Sequence, residues 1–247
     1  MTPRFALLAA VTALFSTTAL AQDVPDGLSL GGIGIVSGSP YLGEGADFQA
    51  FPSVIYRFDR FTIGPLGLSY RALETERSEL DLFVEPRFFA LTDISADELV
   101  GIDREITADV GLAYTYNILR ATDIEATFRQ EITGEHDGQE VDLRVSQGVR
   151  PLGFPIGVFG GVEWRSDNLS NYLYGVFEDE AIAGRPAFDT GDTFTPYLGA
   201  SGFVPLSENL SLFGNLRVEF LEDDITDSPI IENDTVVSAT FGVTFNF

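Results

Sequence analysis

The chain has 247 residues and a formal net charge of -24, with 38 acidic residues against 14 basic residues, all of them arginine. This acidity argues against a nucleic-acid-binding protein, because phosphates require a basic surface. The absence of cysteine excludes a disulfide framework, a thiol nucleophile and a cysteine metal site. An aromatic content of 12% and a mean hydropathy of +0.12 are too apolar for an acidic disordered chain.

The first 21 residues are typical of a cleaved export signal. Arg4 supplies a positive start, residues 5–20 are mainly apolar, and Ala19-Leu20-Ala21 is a small-x-small cleavage site. The apolar part is short for a membrane helix, and no cysteine follows it for lipid attachment. We therefore predict that residues 1–21 are removed and that residues 22–247 form a single exported domain.

The first half of the exported part predicts six extended segments: residues 28–36, 50–58, 61–73, 78–90, 106–116 and 124–131. A polar loop at residues 41–45 and another near residues 92–103 separate some of them. Pro65 interrupts the third segment, because proline is unfavourable in the middle of a strand. In the segment 106–116, apolar side chains occupy every second position, which indicates a strand with one apolar face.

The second half predicts five more segments: residues 141–149, 156–164, 194–204, 210–220 and 237–247. Long loops at residues 166–193 and 222–234 alternate with short turns at residues 151–155 and 205–209. This alternation suits a barrel with long outer loops and short periplasmic turns.

The last segment has an unbroken period of two, in which apolar side chains alternate with small or polar ones up to Phe247. A strand ending on an aromatic residue resembles the C-terminal recognition signal of bacterial outer-membrane proteins. After the export signal no run of eighteen apolar residues follows, which excludes helical membrane spans. We therefore predict an all-β protein, a transmembrane antiparallel up-and-down β-barrel of about 12 strands, with 10 possible.

Charged side chains recur on the strand faces opposite the apolar rows. Twelve of them are predicted to point into the lumen: Asp81, Glu85, Arg87, Asp109, Glu125, Arg129, Asp142, Arg144, Glu163, Arg165, Arg217 and Glu219. In the alternative fold, a soluble sandwich, many of these charges would lie between two sheets at a cost of several kcal/mol each unless paired. Mixed signs predict salt-bridge networks, and two interpretations stay open: a filled interior, or a narrow cation-preferring pore.

The sequence predicts no catalytic, cofactor or metal site. The single histidine, His136, lies between Glu135 and Asp137 in a glycine-bounded loop without a serine close by, so we expect a solvated histidine and no enzyme. Acidic clusters at residues 178–180 and 222–227 lack the spacing of a calcium loop. We therefore expect these acidic loops to be solvated. Any contact with lipopolysaccharide phosphates is expected through diffusely bound divalent ions and not through a dedicated calcium site.

Several motifs spread along the chain resemble the MipA/OmpV family of outer-membrane proteins. They are Pro40-Tyr41-Leu42-Gly43, Tyr56-Arg57-Phe58, Gly134-Glu135-His136-Asp137-Gly138, Tyr172-Leu173-Tyr174-Gly175-Val176 and, most distinctively, Asp227, Ser228, Pro229 and Ile230. One departure is Leu173-Tyr174, where the family usually has two adjacent aromatic residues.

The resemblance implies a barrel in the Gram-negative cell outer membrane without enzymatic activity or cofactor. It implies a scaffold between a lytic transglycosylase and a murein synthase, as described for one member, or an adhesin or antigen, as described for others. The expected partners are outer-membrane lipid, lipopolysaccharide and a murein hydrolase and synthase complex, with no nucleic acid. The alternative function is a narrow cation-preferring channel for small solutes.

Overall fold

The structure, a computed structural model, describes residues 26–88, 91, 96–151 and 155–247. The predicted export signal at residues 1–21 lies outside the described residues.

Twelve antiparallel strands form one closed barrel in which each strand pairs with its neighbours in the chain and β1 pairs with β12. The strands are β1 Gly27–Ser37, β2 Asp47–Phe58, β3 Phe61–Gly64, β4 Gly67–Glu74, β5 Ser78–Arg87, β6 Thr107–Leu119, β7 Thr122–Glu131, β8 Gln139–Val149, β9 Ile156–Arg165, β10 Thr193–Pro205, β11 Leu210–Phe220 and β12 Thr235–Asn246. The predicted all-β barrel of about twelve strands is confirmed.

The period of two predicted from the sequence separates two faces of the wall. In β12, Val237 and Phe241 are 48% and 50% exposed on the outside, while Ser238 and Thr240 are buried on the inside. An apolar outer band with a polar interior is the pattern of a membrane barrel. Among the described residues, no helix is long and apolar enough to cross a membrane.

The segment 61–73, predicted as one strand, is a hairpin, and that prediction was wrong. Strands β3 and β4 pair with each other and are joined at Pro65 and Leu66. Gly67 has a φ of +120°, and a Cβ there would lie 2.1 Å from the carbonyl oxygen of Val84, so only glycine fits this close approach. The hairpin raises the eleven predicted segments to the twelve strands required for even-numbered closure.

Long loops gather at one end of the barrel and short turns at the other, together with the described start of the chain and Phe247. Long loops are extracellular and short turns periplasmic in such barrels. In the described parts of the loops there are two α-helices, α1 Asp167–Tyr174 and α2 Asp223–Thr226, and a short 3-10 helix, Asp97–Leu99, all in regions predicted to be irregular.

A continuous hydrophobic cluster, here called the loop cap, holds these loops together across the open end of the barrel. Its buried members are Tyr41, Leu91, Ala96, Leu99, Ile102, Leu169, Tyr172, Leu173, Tyr174, Val176, Leu221, Ile225, Ile230 and Val236. Because the cluster draws side chains from four loops and from the start of β12, these loops form one packed layer instead of separate solvated segments.

Inside the wall, a second and smaller cluster lines the side formed by β1, β2 and the tip of the β3–β4 hairpin. This apolar patch consists of Ile33, Ile35, Phe51, Leu66 and Phe213. The rest of the interior is mainly polar or charged.

Candidate functional site

The centre of the charged interior is Glu140 on β8. Its carboxylate accepts hydrogen bonds from Arg87 at 3.0 Å, from Arg129 at 3.0 Å and from Arg165 at 3.4 Å. The residue is only 4% exposed. Sequence analysis missed Glu140, although it shares the inward face of its strand with Asp142 and could have been found by that alternation.

Two arms extend from this centre. In one arm, Arg87 contacts Asp109 at 2.6 Å, and Arg129 contacts Glu85 at 2.7 Å. In the other arm, Glu163 pairs with both Arg165 and Arg217. Arg217 also contacts Glu219 at 2.8 Å. The charge network therefore contains nine residues on six strands: Glu85, Arg87, Asp109, Arg129, Glu140, Glu163, Arg165, Arg217 and Glu219.

The charge network has nearly balanced charge, with four guanidinium groups and five carboxylates. Removing such groups from water costs several kcal/mol per ion unless partners and hydrogen bonds compensate. Shared pairing supplies that compensation, since every member contacts at least one ion of opposite sign. The network thus forms a buried, mutually paired polar cluster in the loop-side half of the interior.

Two predicted lumen residues have partners outside this network. Asp81 pairs with Arg71, whose guanidinium also lies 3.2 Å from Glu79 near the turn end. Asp142 accepts a hydrogen bond at 2.6 Å from the hydroxyl of Tyr197. Tyr197 is 2% exposed and points inward, because it follows the inward Thr193 and Thr195 at even spacing.

The last two predicted lumen residues also point inward. Glu125 accepts a hydrogen bond from Thr115 at 3.3 Å. Arg144 donates one to Ser146 at 3.2 Å and lies 4.1 Å from the ring centroid of Phe159. All twelve positions thus lie on inward faces, and a functional role for them stays a prediction.

The Asp227-Ser228-Pro229-Ile230 motif follows α2 and fastens the loop cap. The hydroxyl of Ser228 donates a hydrogen bond of 2.5 Å to the carbonyl of Tyr174. Ile230 is fully buried, and its carbonyl accepts a 2.9 Å hydrogen bond from the backbone of Leu42. The motif is therefore structural in this chain.

Tyr41 links the first loop to the same cap. Its hydroxyl donates to the carbonyl of Leu173 at 3.1 Å, and its ring centroid lies 6.5 Å from that of Tyr174. Burial raises the pKa of the Tyr41 hydroxyl far above its ordinary value. Three of the motifs that resemble the family, distant in sequence, thus meet at one place.

The acidic loop at residues 178–180, expected to be solvated, contains a charge that belongs to the cap. Glu180 pairs with Arg104, a 2% exposed residue that also donates to the carbonyl of Tyr172 at 2.6 Å. Burial by itself would raise the pKa of Glu180, but hydrogen bonds from Arg104 and from the backbone of Phe177 outweigh it and lower that pKa.

His136 is half-buried at the edge of the cap instead of solvated. Its Nδ1 accepts a 3.0 Å hydrogen bond from the backbone of Gly138, and its ring centroid lies 4.8 Å from that of Tyr172. Burial and the nearby Arg87 guanidinium lower the pKa of His136 to about 4, so the imidazole is neutral at pH 7. Within the described part of the chain, no group of three or more His, Asp or Glu side chains is placed to hold a metal ion.

Exposed charges are distributed unevenly between the two ends of the barrel. The long loops are rich in carboxylates and contain only two arginines, Arg104 and Arg185. At the turn end, four consecutive turns each carry one exposed arginine: Arg60, Arg77, Arg120 and Arg150. The turns that contain Arg120 and Arg150 have no carboxylate of their own.

Curated relatives match nearly the whole chain. The MltA-interacting protein of Escherichia coli strain K12 is 27% identical over 249 residues, which cover 97% of this chain and 98% of that protein. The outer membrane protein OmpV of Vibrio cholerae is 27% identical over 199 residues, covering 77% of this chain and 76% of that protein. These relatives and the closed barrel place the chain in the outer membrane.

Solved structures of outer-membrane barrels resemble the chain more distantly. The CymD monoaromatic hydrocarbon channel has a TM-score of 0.47 and 10% identity, over 90% of this chain and 89% of that one. The Pseudomonas putida toluene transporter TodX has a TM-score of 0.43 and 12% identity, over 93% and 91%. Likeness at this level carries no functional argument.

A family profile described as "MltA-interacting protein MipA" matches residues 30–247. The match covers all twelve strands almost completely and both α-helices, so the chain belongs to the MipA/OmpV family of outer-membrane β-barrels.

Proposed function

We propose that this barrel is a non-enzymatic scaffold that docks cell-wall (murein) remodelling enzymes at its periplasmic turns. The observation that supports this proposal most directly is the row of exposed arginines at the turn end. Arg120 and Arg150 occupy consecutive turns that contain no carboxylate of their own, in a chain whose other exposed charges are mostly negative. Such a basic sector suits an acidic protein surface, because complementary charge guides association.

The buried charge network and the loop cap support a docking role over transport. Side chains of the charge network are buried inside the barrel, and the loop cap lies across its outer mouth. A barrel of twelve strands has room for side chains to occupy most of its lumen. The name of the relative, MltA-interacting protein, points in the same direction.

The test is a pull-down from crosslinked envelopes with the tagged barrel as bait and an unrelated outer-membrane barrel as background. We expect enrichment of murein hydrolases or synthases by the wild type and loss of most of that enrichment in the R120S/R150S variant. The matched control R60S/R77S removes the same charge where Asp59 and Glu76 are adjacent, and it should retain the enrichment. Capture no greater than that of the unrelated barrel would refute the proposal.

A second candidate, a narrow cation-preferring channel, is favoured by one feature of the turn-side interior. There Asp81 and Glu79 keep side-chain exposures of 29% and 23%, in contrast to the buried carboxylates above them. Conduction would require the charge network to open, and regular conductance steps from the purified barrel would favour this candidate over the scaffold.

A further inference from the structure

The barrel wall has a gap beside the short β3–β4 hairpin. Strand β2 pairs with β1 along residues 47–57, but with β3 only at residues 56–58. Within the part of the chain that the structure describes, residues 47–55 therefore have a strand partner on one side only, which is roughly 30 Å of free edge. On the opposite border, residues 85–87 of β5 pair with β6 and have no partner in β4.

This gap, bordered by residues 47–55 and 85–87 and by the hairpin tip, lies within the lipid-facing band. The outward side chains around it are Phe48, Val54, Ile63, Leu68 and Val84, each 43% to 59% exposed. Backbone groups without partners cost several kcal/mol each in hydrocarbon. A membrane barrel therefore keeps such a gap only where something compensates for it.

On each border, a proline occupies one position whose N–H would otherwise face the gap. The carbonyl of Arg60 accepts from the backbone of Arg71 on β4, so alternation directs the backbone of Phe61 and of its partner Phe58 to the β2–β3 seam. Alternation along β2 then directs the backbone of Pro52 to the free edge.

On β5, the carbonyl of Ser78 accepts from Thr75, on the β4 side. The same alternation directs Pro86 to the unpaired border. A proline in each border strand removes a donor and disfavours the addition of another strand. The two border strands therefore disfavour closure of the gap by another β-strand, which leaves the gap to a ligand of another kind.

Directly behind the β2 border lies the apolar patch. Phe51 is the neighbour of Pro52 and points inward, and Leu66 at the hairpin tip packs on Ile33 and Ile35. The ring of Phe213 crosses Gly242, where a Cβ would lie 2.3 Å from the ring, and so reaches the partner of Gly242 on β1, Ile33. The apolar patch and the lipid-facing side chains thus lie on the two sides of the same unpaired stretch of wall.

We propose that the gap is a lateral portal in which an acyl chain of an outer-membrane lipid inserts from the bilayer against the apolar patch. The ester oxygens of that lipid accept hydrogen bonds from the free backbone N–H groups of Phe48 and Ala50, which alternation directs into the gap at its loop-side end. Entry from the outer aqueous side is covered by the loop cap, so the chain enters from the membrane. This binding site is independent of docking at the periplasmic turns.

The test uses quenching of tryptophan by lipids with dibrominated acyl chains, since the chain has one tryptophan, Trp164, on the outside of β9. In a W164F background, F51W places a probe inside the wall behind the gap. F159W is the matched control, an inward aromatic position on β9, whose two neighbouring ladders are continuous. Wild-type Trp164 gives the quenching expected for a lipid-facing residue.

In vesicles of dibrominated phosphatidylcholine, we expect F51W to lose most of its fluorescence, as Trp164 does, while F159W keeps most of it. A second probe, L66W, reports on the same patch if F51W does not fold. Folding of each variant is checked by gel electrophoresis, in which the heated, unfolded sample should migrate more slowly than the unheated one. Equal weak quenching of the patch probes and of F159W would overturn the portal. A second condition uses unbrominated vesicles to which free dibromostearic acid is added. If F51W is quenched only in this second condition, the ligand is a free fatty acid, and the assignment to a membrane lipid is overturned.

Discussion

The two sides of the barrel interior are built from different side chains and meet the membrane differently. On the charged side, the network around Glu140 joins strands β5 to β9 and β11, and the ladders from β5 to β11 are continuous. On the other side, the apolar patch lies where the β2 ladder is interrupted. Ionic pairing thus accompanies a closed wall, and an apolar lining accompanies an open one.

The contrast has a physical reason. Buried ions need fixed partners from several strands, and a gap that admitted lipid would remove the water and the geometry on which they depend. Apolar side chains have no such requirement, because their burial is non-directional and accepts protein or lipid alike. The charged side therefore favours rigidity, while the apolar side tolerates exchange of its contacts.

The largest expected effect comes from Glu140→Ala, which breaks the charged side at its centre. Arg87, Arg129 and Arg165 would lose their shared carboxylate, and removing one partner of a buried ion pair typically costs about 3–5 kcal/mol. Urea unfolding of the refolded barrel, followed by tryptophan fluorescence, measures the change in the free energy of unfolding.

The matched control for that variant is Glu79→Ala, beside the half-exposed Arg71. Exposed pairs contribute about 0.2–1 kcal/mol, so the control should stay close to wild type. Equal losses in the two variants would contradict a special role for the buried charge network.

On the apolar side, Ile33→Ala should cost about 2–5 kcal/mol if the patch is packed only by protein. The side chain is 5% exposed and contacts the rest of the patch. If an acyl chain fills the space left by the substitution, the loss of unfolding free energy should be smaller in bilayers than in micelles of a short-chain detergent. Comparing the unfolding midpoints in the two environments makes this distinction, and the charged-side variant Glu140→Ala, which should show no such dependence, is the reference.

Ser228→Ala tests whether the loop cap is fastened independently of both sides. It leaves the buried carbonyl of Tyr174 without its donor, at a cost of about 1–3 kcal/mol. We expect faster proteolysis of the loops with an unchanged urea midpoint for the strands. Loss of the whole barrel in one transition would show that cap and wall unfold together.

The smallest effect expected is a pH dependence that links the cap to the charged side through His136. Its pKa is lowered from 6.5 to about 4 in the folded protein, so the unfolded chain binds more protons between these values. Stability should be complete above pH 6.5 and decline as the pH falls towards 4. His136→Gln should flatten this decline in proteolysis assays of the loops, and an unchanged profile would show that other groups cause it.

Alternation along single strands predicted much of this structure. The outward rows and the inward direction of twelve charges need only the period of two, which is local in sequence. The same rule was available for Glu140 and Tyr197, which lie on the inward parity of β8 and β10. The turn at Pro65 was also signalled locally, by glycines on both sides.

The loop cap could not be predicted in this way. Its contacts join Tyr41, Leu173 and Ile230, which are far apart in sequence and follow no shared period. Acidic residues around them gave the expectation of solvated loops, yet Glu180 pairs with a buried arginine. Likewise, the gap beside β2 depends on the length of a neighbouring hairpin and cannot be deduced from the alternation of β2 alone.

The measurement that tests the closed interior most directly is conductance of the purified barrel in planar lipid bilayers, with a water-filled porin as positive control. Because the charge network occupies the loop-side half of the lumen and the loop cap lies across its outer mouth, we predict insertion without stepwise conductance. Regular conductance steps from the wild-type protein, absent when folded protein is omitted, would contradict a closed interior.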